Sequence, residues 1–136
     1  MSDTEKEQVE PGVKLPPLRQ LLNSLEGAPS PLQIDAWKQE YGEVFVSGFS
    51  EEELYIFRPL KRNEWKELRA AAANSEGMDE LKFEEMVVST CVLFPALAGA
   101  SNLANKAGTV TTLNEQVMQH SNFIPPALAL SLVQKL

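Results

Sequence analysis

The chain of 136 residues has a formal net charge of −7 and a hydrophobic fraction of 43%. This length and composition predict one globular domain with a hydrophobic core of its own. The acidic balance argues against a nucleic-acid binder, which needs a basic surface to displace counterions. A single cysteine excludes an internal disulfide and suits a reducing compartment.

The first half of the sequence predicts an arm, two short helices and a β-hairpin. Residues 1–14 are acidic and poor in apolar side chains, so we expect a flexible N-terminal arm ahead of a single domain over 15–136. Leucines at helical spacing follow, and a second helical pattern ends at Gly42. The runs VFVSGF and LYIF flank an acidic loop and predict one hairpin near 43–58, which Pro59 ends.

The second half has helical periodicity. We expect a helix from Asn63 as its N-cap and a long helix over about 78–94 that ends before Pro95. Thr112 and Glu115 stand at capping-box spacing and predict a helix through His120, and the prolines at 125 and 126 begin a last helix. The predicted fold class is α+β and mostly α-helical: a small helical domain with one β-hairpin.

Residues 86–136 carry only three formal charges. The charge-free run 86–105 has the length of a membrane span, but Pro95 and several polar side chains interrupt it, so a membrane span is not expected. We expect a core layer that also contacts a partner, with Leu130 and Leu136 as partner contacts because apolar residues surround the last helix. Packing of that helix on the helix over 78–94 is the alternative.

Residues for catalysis are scarce. One histidine, His120, and one cysteine, Cys91, do not make a zinc site or a recognisable catalytic pair. Cys91 lies on the apolar stripe of its predicted helix, where it is expected to pack as a small hydrophobe. The sequence therefore predicts a non-enzymatic protein without cofactor, metal or small-molecule substrate.

Four cations follow the second predicted strand within nine residues. A solvated helix start is one interpretation, but cations oppose the dipole at a helix N-terminus. We therefore predict a protein-docking patch in which Arg58 makes a forked contact to a carboxylate of the partner. A second copy would supply such carboxylates from Glu51–Glu53 or the DELKFEE run. The residues predicted for the docking patch are Arg58, Lys61, Arg62 and Trp65.

Three segments in order resemble small tail-module proteins of tailed bacteriophages: WKQEYGEVFVSGF…LYIFRPLKRNEWKEL, FEEMVVSTCVLFP and AGTVTTLNEQVMQHSNF. They lie within residues 37–123, about two-thirds of the chain, and none of them encodes chemistry. The resemblance implies a virion tail or baseplate component, or a tail assembly chaperone. Such a protein would contact other phage tail proteins, and itself, in the virion tail or in the host cytoplasm during assembly. The alternative is a small cytoplasmic adaptor or regulatory protein with no virion role.

Overall fold

A computed structural model describes residues 17–95 and 106–136 of the chain. The predicted arm and the small-residue segment 96–105 lie outside these ranges. The described elements are α1 Leu18–Ser24, α2 Pro31–Tyr41, β1 Phe45–Gly48, β2 Leu54–Phe57, α3 Arg62–Ala73, α4 Glu80–Cys91, β3 Val92–Phe94, α5 Thr109–His120 and α6 Pro126–Ala129, which a 3₁₀ turn Leu130–Leu132 follows. The fold is α+β and mostly helical, as the sequence predicts.

The strand β2 lies in the middle of a three-stranded antiparallel sheet of order β1-β2-β3. The hairpin register pairs Phe45 with Phe57 and Gly48 with Leu54. All four residues of β2 are buried. A strand that is covered on both faces is apolar at every position, and this accounts for the uninterrupted LYIF run.

The two faces of the sheet carry separate hydrophobic clusters. Leu54 and Ile56 of β2 pack with Leu22 of α1 and Ile34 of α2. The alternate residues of β2 point to the other face, since successive side chains of a strand point in opposite directions. There they join a larger cluster built from α4, α5 and neighbouring residues: Tyr55, Phe57, Leu60, Val87, Val88, Cys91, Val92, Leu113 and Val117. The sheet is therefore a layer between two helical layers.

The third strand differs from the sequence prediction. The helix expected to run to Phe94 ends at Cys91, and Val92–Phe94 continue as β3, in which Val92 pairs with Phe57 and Phe94 with Ile56. The apolar run Val92–Phe94 is compatible with the periodicity of a helix and with that of a strand. It forms a strand because the edge of β2 offers backbone donors and acceptors, which β3 satisfies. Val88, near the end of α4, and Val92, at the start of β3, are both buried in the core.

The helix boundaries confirm some predicted caps and correct others. Gly42, at a φ of 86°, ends α2 as predicted, in the left-handed region that glycine adopts without strain. The helix α3 begins at Arg62 with Lys61 as its N-cap, two residues before the predicted N-cap Asn63. The helix α5 begins at Thr109, so the predicted capping box lies inside the helix instead of at its start.

The end of the chain departs from the predicted packing. The expected last helix is the single turn of α6 and the following 3₁₀ turn, and every residue from Pro125 to Leu136 is exposed. The helix that packs along α4 is α5, not this last element. Within residues 17–95 and 106–136, no helix has both the length and the apolar character needed to cross a membrane.

Candidate interaction site

Arg58 lies in the interior, directly after β2. Only 5% of the residue is exposed. Its Nη1 and Nη2 atoms donate to the two carboxylate oxygens of Glu64 at 2.6 and 2.9 Å. Nη2 also donates to the carbonyl oxygen of Thr90 at 3.1 Å, and the guanidinium carbon lies 4.6 Å from the centre of the Tyr41 ring. The forked contact predicted for Arg58 exists, but it is made within the chain.

Glu64 is the residue that makes this arrangement possible. It stands in the first turn of α3, where its Oε1 atom also accepts a hydrogen bond from the backbone N–H of Lys61 at 2.9 Å. A carboxylate at this point favours the positive end of the helix dipole. The hydrogen bond from Arg58 lowers the pKa of Glu64, burial opposes the shift, and the Lys61 N–H lowers the pKa further.

The charge of Arg58 is retained in spite of its burial. Burial by itself lowers the pKa of the guanidinium, but the hydrogen bond to Glu64 and the charge of that carboxylate raise the pKa above its ordinary value on balance. A buried charge needs such a partner because desolvation is otherwise costly. Arg58 therefore belongs to the interior of the fold and does not lie on the surface where the sequence placed it.

The other predicted patch residues separate into two places. Lys61 and Arg62 are exposed at the start of α3, and Lys61 Nζ lies 5.4 Å from the centre of the Tyr41 ring. Trp65 is half-buried on the next turn, where its ring contacts Phe83 and Phe123 at centroid distances of 5.5 and 4.7 Å. The residues of the predicted patch are therefore one interior arginine, two exposed cations and one half-buried aromatic residue.

The three segments on which the expected resemblance rests meet at one junction. The backbone N–H of Arg58, from the first segment, donates to the carbonyl of Cys91 in the second at 3.0 Å. The N–H of Leu60 donates to Ser121 Oγ in the third at 2.8 Å, and Ser121 Oγ donates to the Val117 carbonyl at 2.6 Å. These motif residues hold β2, α3, α4 and α5 together, so their roles within the chain are architectural.

Cys91 lies in this junction as a fully buried free thiol. Burial raises the pKa of Cys91 to about 12, although the Arg58 charge partly offsets the shift. A thiol with so small a thiolate fraction is a poor nucleophile. The expected role of Cys91 as a packed hydrophobe is the one that this environment supports.

A cleft of about 420 Å³ opens beside Trp65, between α3, α4 and α5. Its apolar wall includes Trp65, Ala72, Phe83 and Met118, and its rim carries Asp79, Glu80 and Glu84 at the start of α4. The Arg69 guanidinium extends over the aromatic side, 5.3 Å from the Trp65 ring centre and 5.4 Å from that of Phe83. We call this cavity the α3–α5 cleft.

Residues 126–136 form an exposed apolar extension, which we call the C-terminal leucine segment. Leu130 is 82% exposed and Leu136 is fully exposed, as the sequence-based contact prediction requires. The other exposed apolar side chains of this segment are Leu128, Leu132 and Val133. A monomeric domain rarely leaves so many large apolar side chains uncovered in one place, so this segment is the strongest candidate for a partner contact.

The segment begins beside the cleft. After α5, Asn122 adopts a φ of 70°, and the N–H of Phe123 donates back to the Met118 carbonyl at 3.0 Å. This turn places the Phe123 ring on Trp65, which also lines the α3–α5 cleft. Of the residues predicted as partner contacts, Trp65 lines the cleft and Leu130 and Leu136 lie on the segment. The sequence analysis did not predict Glu64 or the cleft. The presence of an acidic residue at the start of the helix predicted from Asn63 was the available signal for Glu64. The cleft had no such signal because it depends on how the helices pack.

Comparison with protein-family models, curated proteins and solved structures finds no match to this chain.

Proposed function

We propose that this chain is a non-enzymatic component of the tail module of a tailed bacteriophage, a structural or assembly protein that acts through protein–protein contacts. The observation that carries the interaction role is the exposed C-terminal leucine segment. The ordered motifs within residues 37–123 support the assignment to a phage tail, because they resemble those of small tail-module proteins.

The different positions of the motif residues and of the C-terminal leucine segment support this proposal. The motif residues Arg58, Glu64 and Ser121 are occupied by contacts inside the fold. The leucine segment lies outside the resembling region and outside the core, so it is free to contact another protein. Apolar side chains that are displayed in this way resemble the buried centre of an obligate interface once a partner covers them.

Lys61 and Arg62 provide a second, polar contact. Both are exposed at the start of α3, in a chain of net charge −7. Exposed cations of this kind contribute less than about 1 kcal/mol each, and salt weakens their contacts. They would orient an acidic partner surface, whereas the leucines would supply most of the affinity.

The experiment is affinity capture from phage-infected cells with the full chain as bait. The double variant Leu130→Ser with Leu136→Ser should lose co-purifying tail proteins while its helical circular dichroism is retained. The matched control is Leu32→Ser on α2, which also removes a leucine that is 80% exposed but far along the sequence from the segment. Equal capture by the wild type and the double variant would contradict the role of the segment.

Mass spectrometry of purified particles separates the two forms of the proposal. A structural tail or baseplate component is present in finished virions. An assembly chaperone binds tail proteins in the infected-cell lysate and is absent from the particles. A chain that captures only host proteins, and no tail protein, would instead be the adaptor or regulator and would end the tail proposal.

A further inference from the structure

We infer that the C-terminal leucine segment of one copy docks into the α3–α5 cleft of a second copy, so that two chains exchange their segments reciprocally. This inference rests on the proposed function, because it names the partner of the same segment. The cleft and the segment match each other in apolar character and in charge.

The cleft has the size and lining of a docking site. Its volume of about 420 Å³ lies within the range of roughly 300–1,000 Å³ that is usual for ligand pockets. Trp65, Phe83 and Met118 give it an apolar wall, and methionine adapts its shape to an incoming side chain. Leucine side chains of a short helical segment fit such a groove as anchors.

The charges of the two surfaces are complementary. The lining of the cleft carries three carboxylates, of which those of Asp79 and Glu80 belong to exposed side chains, and one cation, Arg69. Residues 126–136 carry a single charged side chain, the cation Lys135. An apolar segment with one cation thus faces a cleft that has an apolar wall and, with three carboxylates against one guanidinium, an acidic balance of charge. This complementarity favours the segment over an acidic peptide as the occupant.

The position of the segment favours a closed pair of chains over an open filament. Trp65 contacts Phe123, which lies just before the segment, and also lines the cleft, so the start of the segment and the cleft lie close together. A head-to-tail filament needs them on different faces, whereas a two-fold axis lets one face serve both roles.

The segment is a helical stretch followed by four further residues. Residues 126–132 are helical and span about 10 Å. The four residues that follow contribute a further length of at most roughly 13 Å if they are extended. Its apolar side chains are exposed in the single chain. Exchange would therefore cover two segments and fill two clefts at once.

Site-directed cross-linking tests this exchange. One variant carries Ala72→Cys in the cleft, and a second, enlarged by a fused tag, carries Leu132→Cys in the segment. Native Cys91 is buried and does not interfere. When the two full-length variants are mixed and oxidised, we expect a disulfide-linked product that contains one of each. Ala73→Cys, which does not line the cleft, is the matched control and should give at least several-fold less of this product.

Two results would overturn the inference. In a chain that carries both Ala72→Cys and Leu132→Cys, a disulfide formed within the single chain at high dilution would show that the segment occupies its own cleft. Absence of the mixed product above the Ala73→Cys level would show that the segment docks elsewhere. If tail proteins are still captured in that case, the inference fails and the proposed function stands.

Charge reversal provides an independent measurement by sedimentation. Lys135→Glu and Glu80→Lys should each raise the dimer dissociation constant about fivefold, since two exposed pairs are lost per dimer. The double variant should recover most of the wild-type affinity. Glu85→Lys makes the same change on α4 away from the cleft and should leave the constant nearly unaltered. A double variant weaker than both single variants, or a wild type that stays monomeric at all concentrations, would overturn the exchange.

Discussion

Arg58 and Glu64 join the ends of two helices. The Arg58 guanidinium lies at the C-terminal end of α4, where it donates to the Thr90 carbonyl, and Glu64 lies at the N-terminal end of α3. Each charge is favourable to the helix dipole beside it, and the two side chains form a forked ion pair at 2.6 and 2.9 Å. The pair therefore fixes α3 against α4, on which the α3–α5 cleft depends.

Removal of Arg58 should lower the free energy of unfolding. Arg58→Met leaves the half-buried Glu64 carboxylate without its partner. We expect the free energy of unfolding to fall by about 3 kcal/mol, which is at the lower end of the losses seen when one partner of a buried ion pair is removed. Arg62→Met is the matched control because Arg62 is exposed, and its effect should stay within about 0.5 kcal/mol. Urea unfolding followed by circular dichroism measures both, and equal effects would refute the interior role of Arg58.

The coupling between the two residues should appear in a double-mutant cycle. Arg58→Met combined with Glu64→Gln removes both charges, so the double variant should be more stable than the sum of the two single losses predicts. We expect a coupling of about 2 kcal/mol, within the usual range for side chains in direct contact. Additive losses would mean that the two side chains do not interact in solution.

Glu64 should make stability depend on pH in the acid range. Its folded-state pKa is lowered mainly by the Arg58 hydrogen bond, so its contribution is fully present above its unfolded pKa of about 4.3. The contribution is lost as pH falls through the lower, folded-state pKa. The stability difference between the wild type and Glu64→Gln should therefore be constant near neutral pH and shrink below about pH 4. A difference that stays constant to about pH 2 would contradict this account.

Ser121 should stabilise the junction between α5 and the start of α3. Its Oγ atom accepts from the Leu60 N–H at 2.8 Å and donates to the Val117 carbonyl. Ser121→Ala leaves the N–H of buried Leu60 without this partner, so we expect a loss of about 1–3 kcal/mol. Ser131→Ala, at an exposed serine that also bonds a backbone carbonyl, is the control and should change stability little. Similar losses for the two variants would remove any special role for Ser121.

Cys91 should react with thiol reagents only when the fold opens. It is fully buried and its pKa is raised to about 12, so the accessible thiolate in the native protein is negligible. We expect the Arg58→Met variant to be labelled faster than the wild type, because labelling requires transient opening of the fold. The increase in rate should follow the loss of stability, since a less stable fold opens more often. Fast labelling of the native wild-type protein would show that the α4–β3 junction is open.

The sequence by itself determined the elements with a strong local signal. The LYIF run predicted a strand, and the glycine at 42 predicted the end of α2, because these signals come from side-chain chemistry and backbone freedom within a few residues. The concentration of exposed leucines near the C-terminus also followed from the sequence, since a short helix has too many apolar side chains there for one buried face.

Only the tertiary structure decided the rest. The run after Cys91 suits a helix or a strand, and the open edge of β2 made it β3. The position of Arg58 depended on Glu64 and on the end of α4, thirty-two residues away along the chain, where a carbonyl accepts its hydrogen bond. The local pattern of residues around Arg58 does not predict hydrogen-bond partners that lie so far away in the sequence. For the same physical reason the α3–α5 cleft, which three separate helices line, had no counterpart in the sequence.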